Sequence, residues 1–104
     1  MGSYRSRLDI TADILKVVSR NAKKTQIMYQ ANLSYKLLTR YLAEILEVSL
    51  VRFERESRCY MLTSKGREFL EKYRDYSKRH KRMERQLNDI HGKRKVLEEL
   101  CSNQ

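Results

Sequence analysis

Proline and tryptophan are absent from this sequence, and glycine occurs only three times in 104 residues. So few breakers and turn-formers argue against a loop-rich β-fold and leave the chain free to run in helices. Cysteine is scarce as well. Cys59 and Cys101 have neither metal-ligand spacing nor a disulfide framework around them, so reduced thiols in an intracellular protein are expected. No apolar run approaches membrane-spanning length, and no signal-peptide pattern is present. Two lipidation templates match only loosely: Gly2 with Ser6, and Cys101 fourth from the end, where Ser102 and Asn103 are not aliphatic. A nucleophile–base pair, a carboxylate dyad and a phosphate loop are all missing, and His80 and His91 lack the Cys or carboxylate neighbours of a metal site. The expectation is a protein that is not an enzyme and has no cofactor, metal, membrane or evident small-molecule substrate.

What is abundant is positive charge. There are 23 basic residues against 13 acidic ones, a net charge of +10. That balance calls for a polyanionic partner, with nucleic acid first and an anionic membrane second. A 40% hydrophobic content suffices for one small core, while 35% charged residues imply a long solvated surface. The chain therefore reads as one compact domain plus one extended element.

Along the chain, Leu8, Ile14, Leu15, Val17 and Val18 fall on one face of a first helix from Arg5 to about Asn21. Thr25 is placed to cap a short second helix containing Ile27, Met28 and Ala31. Ser34 is placed to cap a third, with Leu33 before it and Leu38 at the fourth helical position as a hydrophobic staple. This third helix runs to about Glu47, with Leu38, Leu42, Ile45 and Leu46 inward and Tyr35, Lys36, Thr39 and Arg40 largely outward. Helix, short helix, tight turn and capped helix outline a helix-turn-helix. The pattern then alternates. Val51 and Phe53 intersperse with Arg52 and Glu54, and β-formers return over residues 59–62. A hairpin here is the wing of a winged helix, packing Val51, Phe53 and Met61 on the helices, though its turn over residues 55–58 has no glycine.

Thr63 is placed to cap a fourth helix. Phe69, Tyr73, Tyr76, His80, Met83, Leu87, Ile90, Arg94, Leu97 and Cys101 recur at alternating spacings of four and three, which is a coiled-coil seam. Gly92 falls outside the seam and costs only about 1 kcal/mol of helix propensity. Such a seam needs a partner, and an identical chain is the simplest one. If the two helices are antiparallel and centred near Arg85, Met83 meets Leu87, His80 meets Ile90, and Arg94 meets the ring of Tyr76. A parallel pair would instead bring Arg94 to Arg94 and His80 to His80. The antiparallel homodimer is the expectation. The domain plan is a winged helix-turn-helix over residues 5–66 and a dimerisation helix over residues 67–101; at about 1.5 Å per residue that helix is a rod of roughly 50 Å.

The segment TQIMYQANLSY over residues 25–35, followed by YMLTSKG over residues 60–66, resembles the archaeal ten-kilodalton "10a" DNA-binding proteins, whose pattern is T-x-I-M-Y-x-A-N-L-S-Y. The resemblance covers roughly residues 5 to 100. It implies a mainly α, winged-helix fold with a long C-terminal helix, an antiparallel coiled-coil homodimer, duplex DNA as ligand, and an archaeal cytoplasmic, nucleoid-associated setting. Gln26 departs from the basic residue expected there, and the wing turn lacks the usual glycine.

Candidate DNA-binding residues follow from the domain class. Tyr35, Lys36, Thr39 and Arg40, on the outer N-terminal face of the third helix, are placed for the major groove. An ordinary solvated face is the alternative, and Tyr35 fits the core equally well. Lys23, Lys24 and Thr25 at the start of the second helix fit a phosphate clamp or a plain basic loop. Asn32 suits a phosphate contact or simply a turn. Arg52, Arg55 and Arg58 decorate the wing, where minor-groove or phosphate contact is usual and a solvated surface is the alternative. The densest basic run, residues 78–82 with Arg85, is either a solvated helix face or a place where DNA passes. The function expected is a dimeric duplex-DNA-binding protein, chromatin-architectural or a transcriptional regulator, with a winged-helix protein-interaction scaffold as the alternative.

Overall fold

The computed structural model describes residues 5–102, so Gly2 and its lipidation template lie outside the described residues. The chain divides into two compact units, one through Tyr73 and one from Arg74 onward. The first contains helices α1 (Arg7–Val18), α2 (Lys24–Gln30) and α3 (Tyr35–Glu47), strands β1 (Val51–Glu54) and β2 (Cys59–Leu62), and the first turns of α4 (Ser64–Leu100).

Each helix start has a local cause. Ser6 and Asp9 form a reciprocal capping box at α1, with Asp9 N–H donating to Ser6 Oγ (3.1 Å) and Ser6 N–H to Asp9 Oδ2 (3.0 Å). The helix thus begins two residues later than its apolar spacing suggests. It ends at Val18 because the chain turns through Asn21 at φ 57°. Ser34 caps α3, its Oγ accepting from Leu37 N–H at 3.1 Å, and the staple residues Leu33 and Leu38 are both buried. Thr63 caps α4, its Oγ1 accepting from Gly66 N–H at 3.0 Å.

The cap expected at Thr25 lies elsewhere. The first-turn donor problem of α2 is solved around Lys23, the N-cap residue, whose N–H donates to Gln26 Oε1 at 3.0 Å. Thr25 is exposed within the first turn. Gln26, which stands in place of a basic residue, therefore serves the backbone of its own helix.

One hydrophobic core fills this unit, with Ile14, Leu15, Val18, Ile27 and Leu38 fully buried and Leu70 of α4 joining them. Four apolar residues depart from expectation. Leu8 is exposed because it sits at the start of α1, ahead of the face that meets the core. On α3, Tyr41 is buried and Leu46 is not. Phe53 is 45% exposed and covers Tyr60 across the hairpin instead of the core, the two ring centroids 4.9 Å apart.

The sheet is antiparallel, pairing Val51 with Leu62 and Glu54 with Cys59. The turn between them works without glycine: Arg58 adopts φ 56°, and Glu54 Oε1 accepts from Glu56 N–H at 2.6 Å and Ser57 N–H at 3.3 Å. A hairpin of this size is marginal alone. It gains a third edge from Ala22, whose N–H and C=O exchange hydrogen bonds with Tyr60 at 3.2 and 2.7 Å.

The junction of α3, β2 and α4 is close-packed. Thr63 Oγ1 donates to the Ser49 carbonyl at 2.6 Å, and Lys65 Nζ donates to the Val48 carbonyl at 2.7 Å, placing a cation on the C-terminal end of α3. Phe69 and Tyr73, the first two residues of the expected seam, pack against this unit's own core; the Tyr73 hydroxyl donates to Asp9 Oδ1 at 2.5 Å.

The second unit is the remainder of α4. It carries ion pairs between Asp75 and Arg79 (3.1 Å), Asp89 and Lys93 (3.1 Å), and Arg94 and Glu98 (3.3 Å), all at the i,i+4 spacing that supports an isolated helix. Its apolar side chains are uncovered: Met83, Leu87, Ile90 and Leu97 are all more than half exposed.

Candidate nucleic-acid interface

The site begins with the phase of α3. Leu38, Tyr41, Leu42 and Ile45 turn one side of the helix into the core. Helical periodicity then puts Tyr35, Lys36, Thr39 and Arg40 outside, and all four are exposed. Lys36 and Arg40 are four residues apart, one above the other on the same face, and neither is held by an ion pair or side-chain hydrogen bond among the described residues. Their charges are available. Thr39 differs, since its hydroxyl donates to the Tyr35 carbonyl at 2.8 Å and retains only acceptor capacity toward a ligand. Tyr35 is surface and not core, at 64% exposure.

The structure joins the start of α2 to this face. Lys24 Nζ sits 4.2 Å from the centroid of the Tyr35 ring, a cation–π contact that orients the ring and adds a positive charge beside the N-terminus of α3. Lys23 and Thr25 are exposed on either side of Lys24. Lys23 directly follows Ala22, which pairs with Tyr60, so the start of α2 is tied to the wing on one side and to α3 on the other.

Asn32 is exposed and shapes the turn. It adopts φ 55° in the turn between α2 and α3, a region asparagine tolerates. That turn is clamped by Arg5, a residue the sequence patterns do not single out. Its guanidinium donates to the carbonyls of Ala31 (2.7 Å) and Asn32 (2.8 Å) and pairs with Asp13 (3.0 Å). No periodic signal marks Arg5, because its partners are remote in sequence.

Tyr29 is a further residue that sequence patterns leave out of the site. At 78% it is the most exposed aromatic side chain among the described residues, on the outer side of α2. A signal for it exists, since Tyr29 follows Ile27 and Met28, the apolar positions that set the inner face. On the wing, Arg52, Arg55 and Arg58 are all exposed, and Arg58 also supplies the left-handed residue of the turn.

Among the described residues no group of three or more His, Cys, Asp or Glu is placed to hold a metal ion, and no helix is long and apolar enough to cross a membrane. The assembled surface can do one thing well: present cations and hydrogen-bonding side chains from a rigid, capped helix, flanked by a basic helix start and a basic hairpin.

Solved structures share this fold. The chain superposes with a TM-score of 0.67 on Sso10a-2, a DNA-binding protein from Sulfolobus solfataricus, over 96% of this chain and 100% of that one, at 20% identity. It superposes with a TM-score of 0.58 on Lactococcus lactis ZitR in complex with DNA, over 97% of this chain and 77% of that one, at 13% identity. At these identities the likeness is one of fold. In sequence, 69 residues are 39% identical to the protein MJ0290 of Methanocaldococcus jannaschii, covering 65% of this chain and 32% of that protein. The chain thus matches about a third of that relative's length. The winged helix-turn-helix family pattern matches residues 4–81, three quarters of the chain and all of the site just described, and the chain belongs to that family.

Proposed function

We propose that the protein is a dimeric duplex-DNA-binding protein in which the N-terminal half of α3 enters the major groove. The observation that carries this reading is the exposed pair Lys36 and Arg40 on a helix whose opposite face is locked into the core. In that position Arg40 suits guanine and Lys36 suits guanine or phosphate, while Tyr35 and Thr39 offer hydroxyl contacts. Lys23, Lys24 and Thr25 supply backbone contacts from the start of α2, and Arg52, Arg55 and Arg58 supply them from the wing. DNA named for both Sso10a-2 and ZitR supports the same ligand here. The two candidate roles, chromatin architecture and transcriptional control, differ in coverage: uniform protection of genomic fragments marks the first, and a few protected operators mark the second.

A random-sequence duplex at low salt should be shifted by micromolar protein, and log Kobs should fall linearly with log salt at about 0.9 per phosphate neutralised. No shift under those conditions would favour a protein-interaction scaffold whose basic face binds an acidic protein.

The dimer reading is supported by the exposed seam Met83, Leu87, Ile90 and Leu97, which one chain leaves uncovered. An antiparallel arrangement brings Met83 to Leu87 of the second copy, whereas a parallel one brings Met83 to Met83. With Cys59 and Cys101 replaced by serine, a mixture of Met83→Cys and Leu87→Cys chains should oxidise to the mixed disulfide. Efficient Met83→Cys self-crosslinking would show the parallel arrangement instead.

A further inference from the structure

A second concentration of charge lies outside the recognition surface. Between residues 78 and 85 there are five Lys or Arg residues against one carboxylate, so eight residues hold four of the ten net positive charges. Their spacing matters more than their number. Lys78, Lys81, Arg82 and Arg85 stand at i, i+3, i+4 and i+7, which confines them to about 100° of the helix circumference. Met83, Leu87 and Ile90 lie on the opposite side, so a dimer formed through them leaves the basic face outward.

Two of the three carboxylates within helical reach of this stripe are held by other cations, and the third, Glu84, lies nearest His80. Asp75 is held by Arg79 (3.1 Å), Glu84 lies 3.6 Å from His80, and Asp89 is held by Lys93 (3.1 Å). The four stripe cations are all exposed, and none forms an ion pair with a carboxylate among the described residues. Like charges at i,i+3 and i,i+4 repel one another along a helix. The arrangement is thus unfavourable for the free helix and becomes favourable against a dense polyanion. Further along α4, residues 86–102 carry three cations and three carboxylates, so the charge is confined to one segment.

We propose that the face of α4 formed by Lys78, Lys81, Arg82 and Arg85 is a second binding surface for the phosphate backbone of duplex DNA, separate from the recognition helix. The choice of DNA as the polyanion rests on the duplex-DNA reading above. Duplex DNA presents one charge per about 1.7 Å of its axis, a density that engages all four cations along a helix segment of roughly 10 Å. Contacts of this kind carry no base information and confer non-specific affinity.

The test is a salt series on the full chain with a long random duplex. Wild type is compared with Lys78→Gln/Lys81→Gln/Arg82→Gln/Arg85→Gln, glutamine being a good helix former. A Lys93→Gln/Lys95→Gln variant removes charge from the same helix outside the stripe. Far-ultraviolet circular dichroism and dimer mass verify that each variant is intact. The stripe variant should lower the slope of log Kobs against log salt by about two units or more and weaken binding at least tenfold near 0.1 M salt, at about 0.9 per lost phosphate contact. The comparator should keep the wild-type slope to within about 0.5. An unchanged slope in the stripe variant, or an equal loss per charge in the comparator, overturns the proposal. If the slope is unchanged but binding to poly-glutamate is lost, the stripe belongs to an acidic protein partner. These results are distinct from failure of the DNA reading itself, in which wild type would not bind the duplex at any salt.

Discussion

Replacing Lys36 and Arg40 together by glutamate should abolish the duplex shift. Both side chains are exposed on the outer face of α3 and hold no side-chain partner among the described residues, so their replacement removes nothing from the core. The change alters the charge of that face by four units per chain, where phosphate is expected to approach. Each well-made base contact is worth about 1–3 kcal/mol of discrimination, and each lost phosphate contact also reduces the salt slope. An affinity loss of at least about 100-fold at 0.1 M salt is expected, with helicity and dimer mass unchanged. If binding stays within twofold of wild type, α3 is not the recognition element.

The second large effect concerns two glycines of one helix with opposite outcomes. Gly66 is buried in the first turn of α4, where an added Cβ would fall on the Leu50 carbonyl oxygen and within 2.8 Å of Leu62 Cδ2. The obstacle is largely backbone. The Leu50 carbonyl is itself fixed, accepting from Thr63 N–H at 3.2 Å, so it has little freedom to withdraw. Gly66→Ala should destabilise the first unit by about 3 kcal/mol, overpacking in a site that cannot relax. For a domain of this size that is a fall in Tm of roughly 12–24 °C. At Gly92, a Cβ would meet nothing within 4 Å. Gly92→Ala should instead stabilise the helix by about 1 kcal/mol through propensity alone. Thermal melts of both variants by circular dichroism give the two signs directly. A neutral Gly66→Ala would show that the α3–α4 junction is looser than its geometry indicates.

Elements governed by local interactions are legible in the sequence. Ser34 caps α3 as its position ahead of an apolar run suggests, because a cap involves residues only three apart. The winged helix-turn-helix outline, the hairpin after α3 and the long helix after Thr63 are equally clear from periodicity. The wing turn is harder to read, because a left-handed Arg58 braced by Glu54 performs what glycine usually does. The cap of α2 misleads for a related reason. Thr25 has the favoured side chain, but the chain enters the helix two residues earlier and Gln26 closes it from within.

The edges of faces are not legible at all. On α3, Tyr41 and Leu46 flank the same apolar arc at nearly equal angles, and periodicity ranks them alike. Which of them is buried depends on which side the neighbouring elements cover: Tyr41 lies under Arg7 of α1, 5.6 Å from its ring, while Leu46 has no such cover. Phe53 alternates correctly with Arg52 and Glu54, yet it lies on the edge strand and packs on Tyr60, which itself packs against the core. Similarly, Phe69 and Tyr73 continue the heptad pattern without a break, but the domain's own core takes them first.

By itself, then, the chemistry of neighbouring residues determined the family of folds, the helix that faces outward with Lys36 and Arg40, and the uncovered seam of α4. Tertiary structure decided how the site is tied together. The Ala22–Tyr60 pairing, the Arg5 clamp on the α2–α3 turn, the Lys24 contact with Tyr35 and the close approach at Gly66 all join elements across turns or long separations. Periodicity and capping extend only a few residues along the chain, whereas these contacts exist only once the core has brought their elements together.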